Sequence, residues 1–213
     1  MSTFNFITNP ALCPDFHTKT KTIQNLLETS LTRYSQLSVL LIELLVPPPT
    51  FHPHCDEHGE SLMHSFMDKL QTHFNAIRGG YHELGQLCGV WERQSTNNGK
   101  GNKYSLVLIV NLDWMKSHPN SHKSLKKQIQ VHWEHALGLT SKSAYHNESF
   151  MLRVPSQDDI VIRQSNTFLI IQKQLNMAYK RIVTHLGLDP IREKKSFLDG
   201  GAWFYHANHH GKQ

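Results

Sequence analysis

A chain of 213 residues, 38% apolar and 18% charged, can build the core of one medium domain and is not a wholly disordered segment. Its formal net charge of +5, with sixteen histidines counted as neutral, suits nucleic acid or an acidic partner without selecting either. Three scattered cysteines, Cys13, Cys55 and Cys88, form no CxxC pair, which excludes a disulfide framework and a cysteine-rich zinc site.

Residues 1–21 read as an N-terminal arm interrupted by Pro10 and Pro14, without the basic start and apolar core of a secretory signal. Ile23, Leu26, Leu27, Leu31 and Tyr34 then recur at helical spacing and predict an amphipathic helix. A strand follows over Leu37–Val46 and is stopped by Pro47-Pro48-Pro49. This apolar run is too short to span a membrane and contains Glu43, so a cytoplasmic protein is expected. Glu43 is either a carboxylate facing a cleft or an edge residue whose head reaches water. The next segment gathers His52, His54, Cys55, Asp56 and His58 between prolines and a glycine. These are legitimate metal-ligand types, but their spacing matches no defined geometry, and a solvated loop is the expected reading.

Leu62, Phe66, Leu70, Phe74 and Ile77 form the stripe of a second helix, Ser61–Arg78, ended by Gly79-Gly80. Leu87–Asn111 reads as a hairpin and is the organising stretch of the chain. Its first run puts Val90 and Glu92 on one face and Trp91 and Arg93 on the other. Its second run, Tyr104–Val110, is an almost unbroken apolar series that suits a central strand covered on both faces. The third helix, Ser124–Leu137, closes at Gly138, and Lys123, Lys126 and Lys127 lie on its outer face. They form either a phosphate-facing patch or a solvated face. Short strands around Phe150–Val154, which includes Arg153, and Ile160–Ile162 precede a long helix from about Asn166 to Leu186, with Gly187 as its cap. Tyr179, Lys180 and Arg181 lie beside or off its buried stripe.

This order of elements predicts an α+β fold over residues 22–188, with a basic, aromatic and histidine-rich tail over 189–213. Arg33-Tyr34-Ser35-Gln36-Leu37 leading into a strand, Val90-Trp91-Glu92 before a glycine-bearing loop and an apolar strand ending at Asn111, and Trp133 before Leu137-Gly138 together resemble the YagK/YfjJ family. The resemblance covers residues 23–186 and implies a mainly antiparallel central sheet flanked by amphipathic helices. Such proteins belong to prophages, satellites and other mobile elements and are akin to rolling-circle replication initiators of filamentous phages. In active relatives, two histidines flanking one hydrophobe on a central strand hold a divalent metal, and a helix tyrosine attacks the scissile phosphate.

Here that strand position reads Lys103-Tyr104-Ser105, and neither Lys103 nor Ser105 is a good ligand for such a metal. Glu92 stands where a third ligand would be, and Tyr179 is either the degenerate nucleophile or a boundary tyrosine. No catalytic activity, metal or other cofactor is therefore expected. The expected function is DNA binding through Lys123, Lys126, Lys127, Arg153, Lys180 and Arg181. The alternative is a protein that docks a helper-phage capsid or assembly component through the reused fold and its terminal arms, with Trp203, Phe204 and Tyr205 as partner-binding residues.

Overall fold

The computed structural model describes residues 14–46, 59–76, 87–95, 102–113, 121–139, 152–153, 160–164, 166–188 and 203–206. Among the described residues there are four long helices: α1 (Pro14–Arg33), α2 (Gly59–Ala76), α3 (Ser121–Ala136) and α4 (Phe168–His185). The strands are β1 (Gln36–Leu45), β2 (Cys88–Ser95), β3 (Asn102–Asn111), β4 (Leu152–Arg153), β5 (Ile160–Arg163) and β6 (Trp203–His206). They form one sheet in the order β4–β1–β3–β2–β6, with β5 also paired to β1 and every pairing antiparallel. The α+β arrangement with a central antiparallel sheet is thus the fold of this chain.

Strand β3 is central because its residues have something to bury on both sides. Tyr104, Leu106, Leu108 and Val110 face α2 and α3, where they meet Met63, Phe66, Met67, Leu70, Leu125, Ile129 and Trp133. Val107 and Ile109 point the other way, into a second core built by Ile23, Leu27 and Leu31 of α1 and Leu175, Ala178 and Ile182 of α4. The alternation of side chains along a strand converts one apolar run into two cores. Trp133 adds direction to the first core. Its ring meets those of Phe66 and Tyr104 edge-on, and its Nε1 donates to the Leu45 carbonyl at 3.0 Å.

Beyond shifts of one to three residues at other element ends, the two ends of the chain differ from expectation. Helix α1 begins at Pro14, so residues 14–21, expected in the arm, are helical. Proline is acceptable in a first helical turn, and the inward positions there are Lys19 and Thr20, both buried. A polar buried face leaves no apolar period to read. At the other end, residues 203–206 of the expected tail are strand β6, paired to β2 from Trp91↔Trp203 to Cys88↔His206.

Helices α3 and α4 stop in the same way. Gly138 and Gly187 have φ of 72° and 71°. Leu139 N–H bonds the Glu134 carbonyl at 2.9 Å and Gly138 N–H that of His135 at 3.1 Å. Leu188, Val183, Gly187 and Thr184 repeat the pattern at 2.9 and 3.1 Å. These are Schellman closures, and the following leucines, Leu139 and Leu188, are buried as the accompanying apolar contact. A Cβ at Gly138 would meet nothing within 4 Å, so an alanine there is penalised by backbone conformation alone. Gly138→Ala is expected to cost about 1–2 kcal/mol, measured as a lower denaturant midpoint with an unchanged slope.

Outside the cores, α2 and α3 share a histidine-rich seam. Lys69 Nζ lies 2.8 Å from His135 Nδ1, and the rings of His73 and His132 are 5.1 Å apart. Burial lowers the pKa of His132 below 6.5, and electrostatic repulsion of its charged form by neighbouring His73, His135 and Lys69 acts the same way. A histidine whose folded pKa is depressed takes up its proton more readily when unfolded, so its share of stability is present above 6.5 and lost as the pH falls below it. Denaturation midpoints are therefore expected to fall through this range, less steeply in His132→Gln than in the parent protein.

Candidate functional site

Glu43, Glu92, Lys103 and Ser105 lie on one face of the sheet, the one covered by α1 and α4. Antiparallel register places Glu43 of β1, Ser105 of β3 and Glu92 of β2 side by side in a single row. Lys103 lies two residues from Ser105 on the same face, and its Nζ is 2.8 Å from Glu43 Oε1. From above, Lys19 of α1 reaches Glu92 Oε1 at 3.4 Å. Both members of the Lys19–Glu92 pair are buried, whereas those of Lys103–Glu43 are partly exposed. Each carboxylate inside this layer is thus met by an ammonium, as a low-dielectric setting requires.

Helix α4 supplies two further groups. Tyr179 is buried, and burial raises its pKa, while hydrogen bonds from Thr20 and Gln24 of α1 pull it down. His185 is half-buried, with Nε2 3.1 Å from the Ile42 carbonyl oxygen. A carbonyl can only accept, so Nε2 carries the proton in this contact. Burial lowers the His185 pKa, although the Ile42 carbonyl and the nearby Glu43 carboxylate favour its charged form.

Of the residues singled out from sequence, Glu92, Lys103, Ser105 and Tyr179 therefore belong to one face of the sheet. Glu43 resolves as a partly buried ion-pair member. Lys126 and Lys127 are exposed on α3, and Lys180 is exposed on α4. These two helices cover opposite faces of the sheet, so the expected basic residues do not form one surface. Arg181 is only partly exposed and makes interactions of its own. Lys123 and Arg153 belong to α3 and β4, and Trp203, Phe204 and Tyr205 to β6. The side chains of all five, and the whole of His52, His54 and His58, lie outside the described residues.

Sequence reading missed Lys19, Thr20, Gln24 and His185. Lys19 and Thr20 fell in the expected arm. His185 was one of sixteen histidines, although its place next to Leu186 on the inner flank of α4 was a usable signal.

The donor set does not fit the metal that the resemblance implies. The two positions that would carry imidazoles hold an ammonium and a hydroxyl, and the ammonium is bound to one carboxylate. Among the described residues, no group of three histidine, cysteine, aspartate or glutamate side chains could hold a metal ion. Tyr179 is held by α1 rather than presented to solvent. Tyr179→Phe is accordingly expected to cost about 0.5–1.5 kcal/mol of stability, read by denaturant unfolding. A fully neutral substitution would remove Tyr179 as a tie between α1 and α4.

Comparison with known proteins places this geometry in a family. No curated protein and no solved structure matches the chain. The family model described as YagK/YfjJ C-terminal domain matches residues 7–186, which takes in all four described helices and five of the six described strands. The chain belongs to the YagK/YfjJ C-terminal domain family.

Proposed function

We propose that this chain is a non-catalytic, replication-initiator-like protein of a mobile element that binds DNA through the outer face of α3. The observation that carries this reading is the charge of that helix. Lys126 and Lys127 are both exposed, while its one acidic residue, Glu134, is buried and accepts a hydrogen bond from Gln130. The solvent side of α3 therefore offers phosphate contacts without a competing carboxylate of its own. The lack of catalysis is inferred from the Lys103–Glu43 pairing at the diagnostic strand position and from the burial of Tyr179.

A second reading is favoured by α4. Phe168, Leu169, Ile170 and Met177 are exposed there, Leu169 to 78%. Contiguous exposed apolar residues mark protein-binding surfaces more often than nucleic-acid ones. On this reading the domain docks a structural or assembly component of a helper phage.

Because α3 and α4 lie on opposite faces, the two readings are separable by mutation. Purified protein titrated with single- and double-stranded DNA across a salt series, with and without manganese, is expected to bind without nicking or forming a covalent adduct. Lys126→Glu with Lys127→Glu is expected to weaken binding and to lower the salt slope by about 2, roughly one per lost phosphate contact. Leu169→Glu is expected to leave DNA binding intact. Absence of binding at low salt would overturn the DNA reading, and a nicked product would overturn the non-catalytic one.

A further inference from the structure

The seam between α2 and α3 gathers four basic side chains. Lys69 and His73 are four residues apart on α2, and His132 and His135 three apart on α3, so each helix turns two groups to one side. Two contacts cross the seam, Lys69 to His135 at 2.8 Å and the rings of His73 and His132 at 5.1 Å. They run in opposite senses along the two helices and close the four residues into one cluster. An ammonium can only donate, so His135 accepts at Nδ1 and is neutral in this contact, with its proton on Nε2. The acidic residues adjoining the cluster in sequence are engaged elsewhere: Glu134 is buried and accepts from Gln130, and Asp68 makes interactions of its own. The groups whose charge acts on His132 are His73, His135 and Lys69, with no carboxylate among them. The buried Nε2 of His132 has no hydrogen-bond partner among the described residues, a deficit that calls for an explanation.

We propose that Lys69, His73, His132 and His135 form a binding site for a phosphate group, which bridges α2 and α3 and is held more tightly as the pH falls. Protonation of His135 removes the lone pair that Lys69 uses, and leaves two cations side by side with their donors free. An oxyanion accepts from both, through charge-assisted hydrogen bonds. It also relieves the repulsion that disfavours a charged His132, so proton uptake and anion binding favour each other. The site adjoins the outer face of α3, where Lys127, Val131 and His135 follow at four-residue spacing and are all exposed. A free phosphate and a phosphate of a DNA backbone present the same oxygens to it. The inference stands apart from the DNA reading, because an inorganic anion tests it without DNA.

Thermal unfolding of the full chain in millimolar sulfate, inorganic phosphate or chloride, at matched ionic strength, tests it. Sulfate is the reference probe because its charge is constant across the range in which histidines titrate. At about pH 6 the parent protein is expected to melt several degrees higher in sulfate or phosphate than in chloride, and at about pH 8 the sulfate gap is expected to shrink. Lys69→Met with His135→Gln is expected to lose most of the gap at the lower pH, whereas Lys126→Gln with Lys127→Gln is expected to keep it. Equal melting of the parent in sulfate and chloride at about pH 6 would overturn the proposal. So would a gap of full size in the Lys69→Met, His135→Gln variant, which would mark a general salt effect. If that variant fails to fold, His135→Gln alone decides, since His135 is exposed and outside both cores: a reduced gap supports the site, and a full one overturns it. Titration with duplex DNA at the lower pH then assigns the source. Weaker DNA binding by the variant that lost the sulfate response puts backbone phosphate in the seam, and unchanged DNA binding makes it a site for free phosphate.

Discussion

The constraint on which this domain depends is that β3 is covered on both faces. Residues in the middle of it have little access to solvent, which favours apolar side chains there. Tyr104 and the run from Leu106 to Val110 answer with hydrocarbon on two sides. Polar residues stand toward both ends, Lys103 and Ser105 near the start and the buried Asn111 at the close, where its Oδ1 accepts from the Asp113 N–H. Antiparallel register sets Ser105 opposite the strand-borne glutamates, Glu43 on one neighbour and Glu92 on the other. The polar row is thus a consequence of pairing, and the lysine reaching down from α1 follows from it. An uncompensated carboxylate at that depth would cost several kcal/mol.

The two layers that cover the sheet have different characters. The α2/α3 layer is built on large aromatic and methionine side chains and carries a histidine-rich seam on its surface. The α1/α4 layer is built on aliphatic residues, encloses the ion pairs, and exposes an apolar patch at the start of α4. One fold therefore presents two chemically distinct outer surfaces. Either surface could serve binding, because the fold does not dictate the function.

Much of this architecture was legible in the sequence. Apolar stripes at three- and four-residue spacing located α2, α3 and α4, the run from Tyr104 to Val110 identified the central strand, and Gly138 and Gly187 marked the helix ends. What escaped were features that leave no periodic signal. The first turns of α1 bury Lys19 and Thr20, so their inward face looks like a solvent face when read as letters. The meeting of Lys19 with Glu92, 73 positions apart, depends on tertiary geometry that spacing does not encode. The same holds for His185 against Ile42 and for β6 against β2, whose pairing is an event of long range rather than of local pattern.

The pairing of β1 bears on the order in which the molecule assembles. Strands β2 and β3 are joined by a short connection, and their hairpin needs only a small loop to close. Strand β1 stands earlier in the chain, yet its neighbours are β3 on one side and β4 and β5 on the other, with Leu37 opposite Asn111 and Gln36 opposite Arg163. It cannot be satisfied on either edge until chain far downstream has been placed. A sheet of this connectivity has high contact order and folds slowly for its size. Until then β1 remains an apolar ribbon of ten residues with both edges open, the type of segment that finds partners in other molecules when folding is delayed. The fully dressed strand of the finished domain is, in transit, its most exposed hazard.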